Sequence, residues 1–566
     1  MKNAGKPSID GADIVIVGNG IAGLTAAVEA RRLAPDLRIA IITMQNHPTI
    51  NTPALKQFAI GKLTRDQLLA YPPGTERAQR IHVIQARVEE INAQGKFITL
   101  AGGRGFGYGS LLLATGSTPT SLPANLPGRD FDGVLTLHSL PDYLNLRRRL
   151  SEVEEAVVIG GGAHAIETVM GLLHWGIQVH WLIRSATFLP RMLDQPASEM
   201  VLEHARQAGA KVYLETELVG IMGRVGVVAG VVTNHQQMLP CQLVLACTGM
   251  TPSMKLAERC NVPMRYQRGI LVDDQLRTSV HHIYAAGDVA ALRNPQTGTF
   301  EPRAQWYAAV LQGRVVAATI TGNSKEVEAF GVPWHATQLG ELSMLTVGNP
   351  LNWTESTENL TDTTKGSYRR MTIIDDCLVG YLSLGRTQPD SLAIKRIIDE
   401  GLSIHDIKKE LLKGEFDARA YFSQQRSHIA RGMVTSGRLP AIRPVLPEKV
   451  TSGRLPAIVE VPSTMPGIVP LVRALPETGS LLPMEENVIV NASLASPVVD
   501  TQPLASPASP ASRLPLSSQE SLFAPANFWS YSEKVPVVQK RQLQRPSRSL
   551  WSYSDKSGQR PAEGKP

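Results

Sequence analysis

The spacing of apolar and polar positions divides the chain into repeating units. DIVIVGNGIAGLTAAVEARRLAPDLRIAIIT (13–43) opens with a β-branched run, breaks at three glycines, and continues with helix formers at helical apolar spacing before a second apolar run. That order predicts strand, turn, helix, strand. HVIQARVEEINAQGKFITLAGG (82–103) alternates apolar and polar between turn residues, which predicts an antiparallel meander. YGSLLLATGS (108–117) is a buried strand that ends in glycine.

The same order then returns. AVVIGGGAHAIETVMGLLHWGIQVHWLIR (156–184) reads strand, turn, helix, strand; GIMGRVGVVAGVVTNHQQM (220–238) reads as a meander; LVLACTGMTP (243–252) closes with another glycine-ended strand. One architecture is used twice, without repetition of exact sequence. GILVDDQLRTSVHHIYAAGDVAAL (269–292) and a helical AQWYAAVLQGRVVAATITG (304–322) follow, and then strands and helices of α+β character reach to about residue 425.

Beyond that point the pattern stops. Residues 440–566 hold 19 of the 39 prolines with many serines and no sustained period, the composition of a disordered tail. TSGRLPAI occurs at 435–442 and 451–458, and FWSYSEK (528–534) is echoed by LWSYSDK (550–556). Paired aromatic motifs on a tether fit docking peptides for a partner protein; slippage of a functionless repeat is the other reading.

Composition narrows the class. Across 566 residues, 43% hydrophobic and 19% charged describe a soluble globular protein of several domains. The net charge of +7 allows an acidic partner, but no dense Lys/Arg block with interleaved aromatics points to nucleic acid. The four cysteines, Cys241, Cys247, Cys260 and Cys377, form no CxxC pair, so no disulfide scaffold, zinc or iron–sulfur site is expected. No apolar leader opens the chain, and no run approaches the roughly 18 apolar residues of a membrane span. The expectation is a cytoplasmic protein without metal.

The glycines carry the chemistry. In GNGIAG, Gly18 makes the tight turn, Gly20 lets the backbone approach a pyrophosphate, and Gly23 permits close helix–strand packing. The helix that follows aims free N–H groups and the positive end of its dipole at the phosphates. The acidic residue that commonly grips a ribose about 20 positions on is replaced by Gln45 in this reading. Gln lacks a carboxylate's charge-assisted bonds, so either affinity is weaker or the contacts differ. In the second turn Gly160 and Gly162 keep these roles, while Ala165 adds a methyl between helix and strand. The following strand runs into Ile183 and Arg184 instead of an acid. Arg184 is suited to a 2′-phosphate, which leans towards NADPH; an exposed strand-end arginine is the plain alternative.

The order GNGIAG, LLLATGS, GGGxxxxE, TG, IYAAGD, W…QGR resembles the FAD-dependent pyridine-nucleotide oxidoreductases of rubredoxin- and ferredoxin-reductase type, including the flavin module of assimilatory nitrite reductase. It covers residues 12 to about 425. The duplication predicts an α/β protein with two doubly wound Rossmann-like nucleotide-binding domains, followed by a C-terminal α+β domain and the disordered Pro/Ser-rich tail at 426–566, which lies outside the resemblance. The resemblance places FAD at the first fingerprint and NAD(P)H at the second, which gives an FAD-binding domain at 1–127 and 251–325, an NAD(P)H-binding domain at 128–250 and the α+β domain at 326–425.

It further implies cofactor contacts at Ala114, Thr115 and Gly116, at Gly249, and at Gly287 and Asp288, the last facing the FAD ribityl and pyrophosphate region. Asp288 also suits a helix N-cap. Trp306 matches an aromatic near the flavin, with core packing as the alternative. Glu167 is implied near the nicotinamide, ion-paired with a lysine for which Lys56 is the candidate; a solvated Lys56 is the alternative. Thr52 stands where relatives place a phosphate-binding arginine. His164 reads as packing or surface.

The implied activity is hydride transfer from NAD(P)H to FAD, with electrons passed to a ferredoxin- or rubredoxin-like protein, a reductase subunit or a small acceptor. No CxxxxC follows the first fingerprint, so no built-in dithiol is expected. The rival readings are a flavin- and nucleotide-binding scaffold whose tail recruits a partner, and an NAD(P)H oxidase.

Overall fold

The computed structural model describes residues 10–423 except 260–267, 296, 325–328, 353 and 387–390. The tail with its paired motifs, and Cys260, lie outside the described residues.

The first sheet grows from strand Gly11–Val17, whose run Ile14–Val17 is buried because parallel strands flank it on both sides. These are Ile39–Thr43 and Gly105–Leu113, and Ile81–Gln85 extends the first edge. The nine-residue strand Gly105–Leu113 divides its other edge. Its start pairs antiparallel with Phe97–Leu100 of the expected meander, while its last three residues pair in parallel with Ile283–Ala285. The chain therefore returns, after the whole second unit, to complete the sheet it began.

The second sheet has five parallel strands in the order Lys211–Tyr213, Gln178–Leu182, Glu155–Ile159, Leu243–Ala246, Val134–Thr136. A three-stranded antiparallel meander covers Leu218–Pro240. The two crossings between the units, Ser117–Pro119 and Met250–Pro252, pair with each other antiparallel. Each begins one residue past a left-handed glycine, Gly116 (φ 69°) and Gly249 (φ 110°).

Residues 334–385 form a five-stranded antiparallel sheet, with helices Ser391–Asp399 and Lys408–Lys413 following it. Leu339, Met344, Leu382 and Leu384 of this sheet share one apolar core with Ala165 and Ile166 of helix Ala163–His174. That shared core seats the third sheet on the helix that the second glycine turn opens. Among the described residues no helix is long and apolar enough to cross a membrane.

The two turns differ at one position. Gly18 (φ 112°) and Gly160 (φ 132°) each lie against a carbonyl of the neighbouring strand: a Cβ would stand 2.2 Å from the Ala114 oxygen in one and 2.2 Å from the Cys247 oxygen in the other. Five residues on, a Cβ at Gly23 would meet the Gly18 carbonyl oxygen at 2.1 Å. The equivalent Ala165 carries its methyl fully buried in a helix that stands off far enough to admit it. Gly23→Ala is therefore expected to cost roughly 1–3 kcal/mol, as overpacking does, whereas Ala165→Gly costs about 1 kcal/mol, chiefly through helix propensity. Urea unfolding of the two variants checks this; a neutral Gly23→Ala overturns the close-approach argument.

Candidate functional site

The short helix Leu55–Ala59 buries Leu55 and Phe58, which turns Lys56 towards helix Ala163–His174. Lys56 Nζ forms an ion pair with Glu167 Oε2, and Thr337 Oγ1 donates to Glu167 Oε1. The lysine and carboxylate side chains keep 28% and 13% of their exposure, so both charges are largely withdrawn from water. Burial pulls Lys56 down to about 8. The sequence proposed the Lys56–Glu167 pair; Thr337, on strand Trp334–Leu339, is a partner it missed.

Two imidazoles complete the cluster. His164 and His335 both interact electrostatically with Lys56, and the Nε2 atom of each is buried without a hydrogen-bond partner. Burial, reinforced by the lysine charge, lowers both to about 4, so both are neutral at physiological pH. His164 packs into this cluster as a half-buried neutral imidazole. Its carbonyl accepts from Thr168 Oγ1 at 2.8 Å, and Cys247 Sγ reaches the same hydroxyl at 3.8 Å. Burial pushes the Cys247 thiol up to about 12, far from a reactive thiolate. Cys241, Cys247 and Cys377 are unpaired.

At the first turn a Cβ on Gly20 would meet nothing within 4 Å, and the same holds for Gly162 at the second. Each leaves bare backbone facing open space at a helix N-terminus. The side-chain oxygens of Asn19, within the first turn, and of Asn51 are buried and unpartnered. Thr49 Oγ1 donates to the Asn19 carbonyl at 2.9 Å and fixes that loop.

Asp288 follows Gly287, whose N–H donates to buried Gln312 at 2.7 Å. Burial raises the Asp288 carboxyl, and Ser117 Oγ, donating at 2.7 Å, opposes that shift. Ala114 is buried against Gly18, and Thr115 Oγ1 donates to the Ser253 carbonyl at 2.9 Å.

Three other candidate residues lie at the ends of elements. Strand Ile39–Thr43 ends at Thr43, whose hydroxyl accepts from the Gln45 N–H at 3.1 Å; Gln45 is exposed two residues beyond the strand end. Arg184 is exposed two residues past strand Gln178–Leu182 and has no carboxylate partner among the described residues. Trp306 starts helix Trp306–Ile320 half-buried, while its neighbour Tyr307 stands edge-on to Trp334 with centroids 4.5 Å apart.

The chain is similar to known proteins in sequence and in fold. The chain is 26% identical over 420 residues to the assimilatory nitrate reductase electron transfer subunit of Bacillus subtilis, a match covering 73% of this chain and 52% of that one. It therefore spans about half the length of that relative. It is 29% identical over 313 residues to the rubredoxin-NAD(+) reductase of Pseudomonas putida, covering 55% of this chain and 80% of that enzyme. A ferredoxin reductase structure from Rhodopseudomonas palustris superposes with a TM-score of 0.61 at 27% identity, covering 66% of this chain and 91% of the other. The family model for pyridine nucleotide-disulphide oxidoreductases matches residues 12–313, a span that takes in both glycine turns, Lys56, Glu167 and Asp288. With that match over more than half its length, the chain belongs to the pyridine nucleotide-disulphide oxidoreductase family.

Proposed function

We propose that the protein is an FAD-dependent NAD(P)H oxidoreductase that accepts hydride from NAD(P)H and passes electrons to a separate redox protein. The observation that carries this reading is the meeting of Lys56, Glu167 and Thr337, from three distant segments, on the helix that the second of two like glycine turns opens. Names among the similar proteins mention rubredoxin, ferredoxin and nitrate reductase, which favours a small redox protein or a reductase subunit as acceptor.

The residues suit the two cofactors. Open backbone at Gly20 with the unpartnered Asn19 and Asn51 oxygens fits the FAD pyrophosphate, and Asp288 with Gly287 fits its ribityl end. Open backbone at Gly162 fits NAD(P)H, and the unpaired Arg184 beside that turn favours a 2′-phosphate. When bound, the flavin supplies two-electron chemistry that no side chain here provides. Lys56 holds a positive charge in a half-dry site and so favours negative charge developing nearby. Glu167 keeps that lysine charged and aimed, and Thr337 fixes the carboxylate. The neutral imidazoles add dipoles without a second cation.

Anaerobic titration of the purified protein tests the reading. Flavin absorption near ~450 nm should bleach with NADPH, and less readily with NADH. Equal bleaching removes only the NADPH preference. Bound flavin that neither nucleotide reduces overturns the oxidoreductase reading in favour of a scaffold.

The lysine makes a pH prediction. Burial lowers Lys56, so its cation is present below about 8 and is lost as pH rises through that value, well below the ordinary lysine range of about 10.4. The rate of flavin reduction should fall above about pH 8. Glu167→Gln removes the anion that favours the cation, which moves the fall to lower pH. Lys56→Met abolishes this fall and slows reduction about 10²-fold. An unchanged pH profile in Lys56→Met contradicts the role given to the lysine.

A further inference from the structure

One cavity is lined by no residue of the glycine turns or of the Lys56 cluster. It encloses about 390 Å³, and its walls include Asn46, His47, Arg65, Leu140, Leu144 and Arg148. The volume falls within the range of small-ligand sites. One wall comes from the segment after strand Ile39–Thr43, and the other from helix Leu140–Arg149.

That helix ends in three consecutive arginines with three different fates. Arg147 stacks over Phe58, 4.9 Å from the ring centroid, and donates to the Phe58 carbonyl at 3.4 Å. Arg149 pairs with Asp132 at 2.6 Å. Arg148 lines the cavity with Arg65, and neither has a carboxylate partner among the described residues. No acid belongs to the described lining. Asp142, on the same helix, is spent on the backbone N–H groups of His138 and Ser139 at 3.1 and 2.7 Å.

Two guanidinium groups without counter-ions, at a concave surface floored by leucines, match a dianion attached to an apolar body. Guanidinium forks bind phosphate oxygens in pairs, and a dianion answers two such charges. We propose that this cavity binds a small phosphorylated molecule, with its phosphate held by Arg65 and Arg148 and its apolar portion on Leu140 and Leu144. The ligand seated there joins the chain segment that carries Lys56 to the helix that leads into the second sheet. This site stands independently of which cofactors fill the glycine turns.

The test is calorimetric titration of phenyl phosphate and of inorganic phosphate into the full-length protein, with FAD and NADP⁺ present in excess to occupy the two turns. Phenyl phosphate should bind one site, more tightly than inorganic phosphate does. Arg148→Gln and Arg65→Gln should each weaken it about 10-fold, as loss of one charged hydrogen-bonding group does. Arg148→Lys should fall between wild type and Arg148→Gln, because it keeps the charge and loses the fork. Arg206→Gln, at a half-buried arginine paired with Glu199 elsewhere, should bind as wild type does. Both lining arginines are exposed, so the variants should fold, which circular dichroism verifies. No binding by wild type, or undiminished binding in both Gln variants, overturns the proposal. Equal weakening in Arg206→Gln also overturns it, since that marks unspecific attraction to a basic surface.

Discussion

Taking the charges of Lys56 and Glu167 out of water is the cost around which this site is arranged. A buried ion pair repays its desolvation only when geometry is good and the remaining lone pairs are satisfied. Here the second carboxylate oxygen is satisfied by Thr337, which comes from the third sheet. The pair therefore needs three separately folded pieces in register: the short helix after the first turn, the helix of the second turn, and an edge strand of the last sheet. Separating the two helices leaves each charge uncompensated, and loosening the strand leaves one carboxylate oxygen without its donor.

The rest of the structure supplies that register. The third sheet shares its apolar core with helix Ala163–His174, and polar contacts fix its orientation at two further points. Asp194, the N-cap of helix Gln195–Gln207, accepts from Tyr368 and from Arg370, the latter at 3.2 Å. His204, on the same helix, meets the Leu339 carbonyl at 2.6 Å. Thr337 lies two residues before Leu339, so the strand that carries it is anchored close by. The antiparallel pairing of the two crossings, Ser117–Pro119 and Met250–Pro252, does the same for the first and second units. The apolar core provides adhesion, and these few polar contacts provide alignment.

What the sequence disclosed follows from how local each signal is. Both glycine turns were legible because turn, phosphate cradle and helix start lie within six residues of one another. The partnership of Lys56 with Glu167 was legible only through resemblance, since 111 residues separate them. Thr337 and His335 were not legible: a threonine and a histidine in WHATQL alternate as in any half-buried strand, and their role exists only once that strand docks. Counting residues puts Gln45 in the ribose position, and pairing with the neighbouring strand places that residue two beyond the strand end at Thr43. Ala165 adds a methyl where the first turn has Gly23, and the structure buries that methyl fully, so the second turn accommodates it.

The charge state of the site follows from the same burial. Dehydration penalises whichever form is ionic, so it holds His164 and His335 neutral above about 4 and would release the proton of Lys56 above about 8. Between those limits the site keeps one cation, and neither imidazole adds a second. Of the three buried bases, only the lysine has a carboxylate within contact, and only the lysine keeps its charge at neutral pH. Desolvation acts on all three alike, and the lysine stays ionised because an ordinary lysine titrates about four pH units above an imidazole. Glu167 meets that one cation directly, and the fold brings a lysine from one helix and a threonine from one strand to hold its two oxygens.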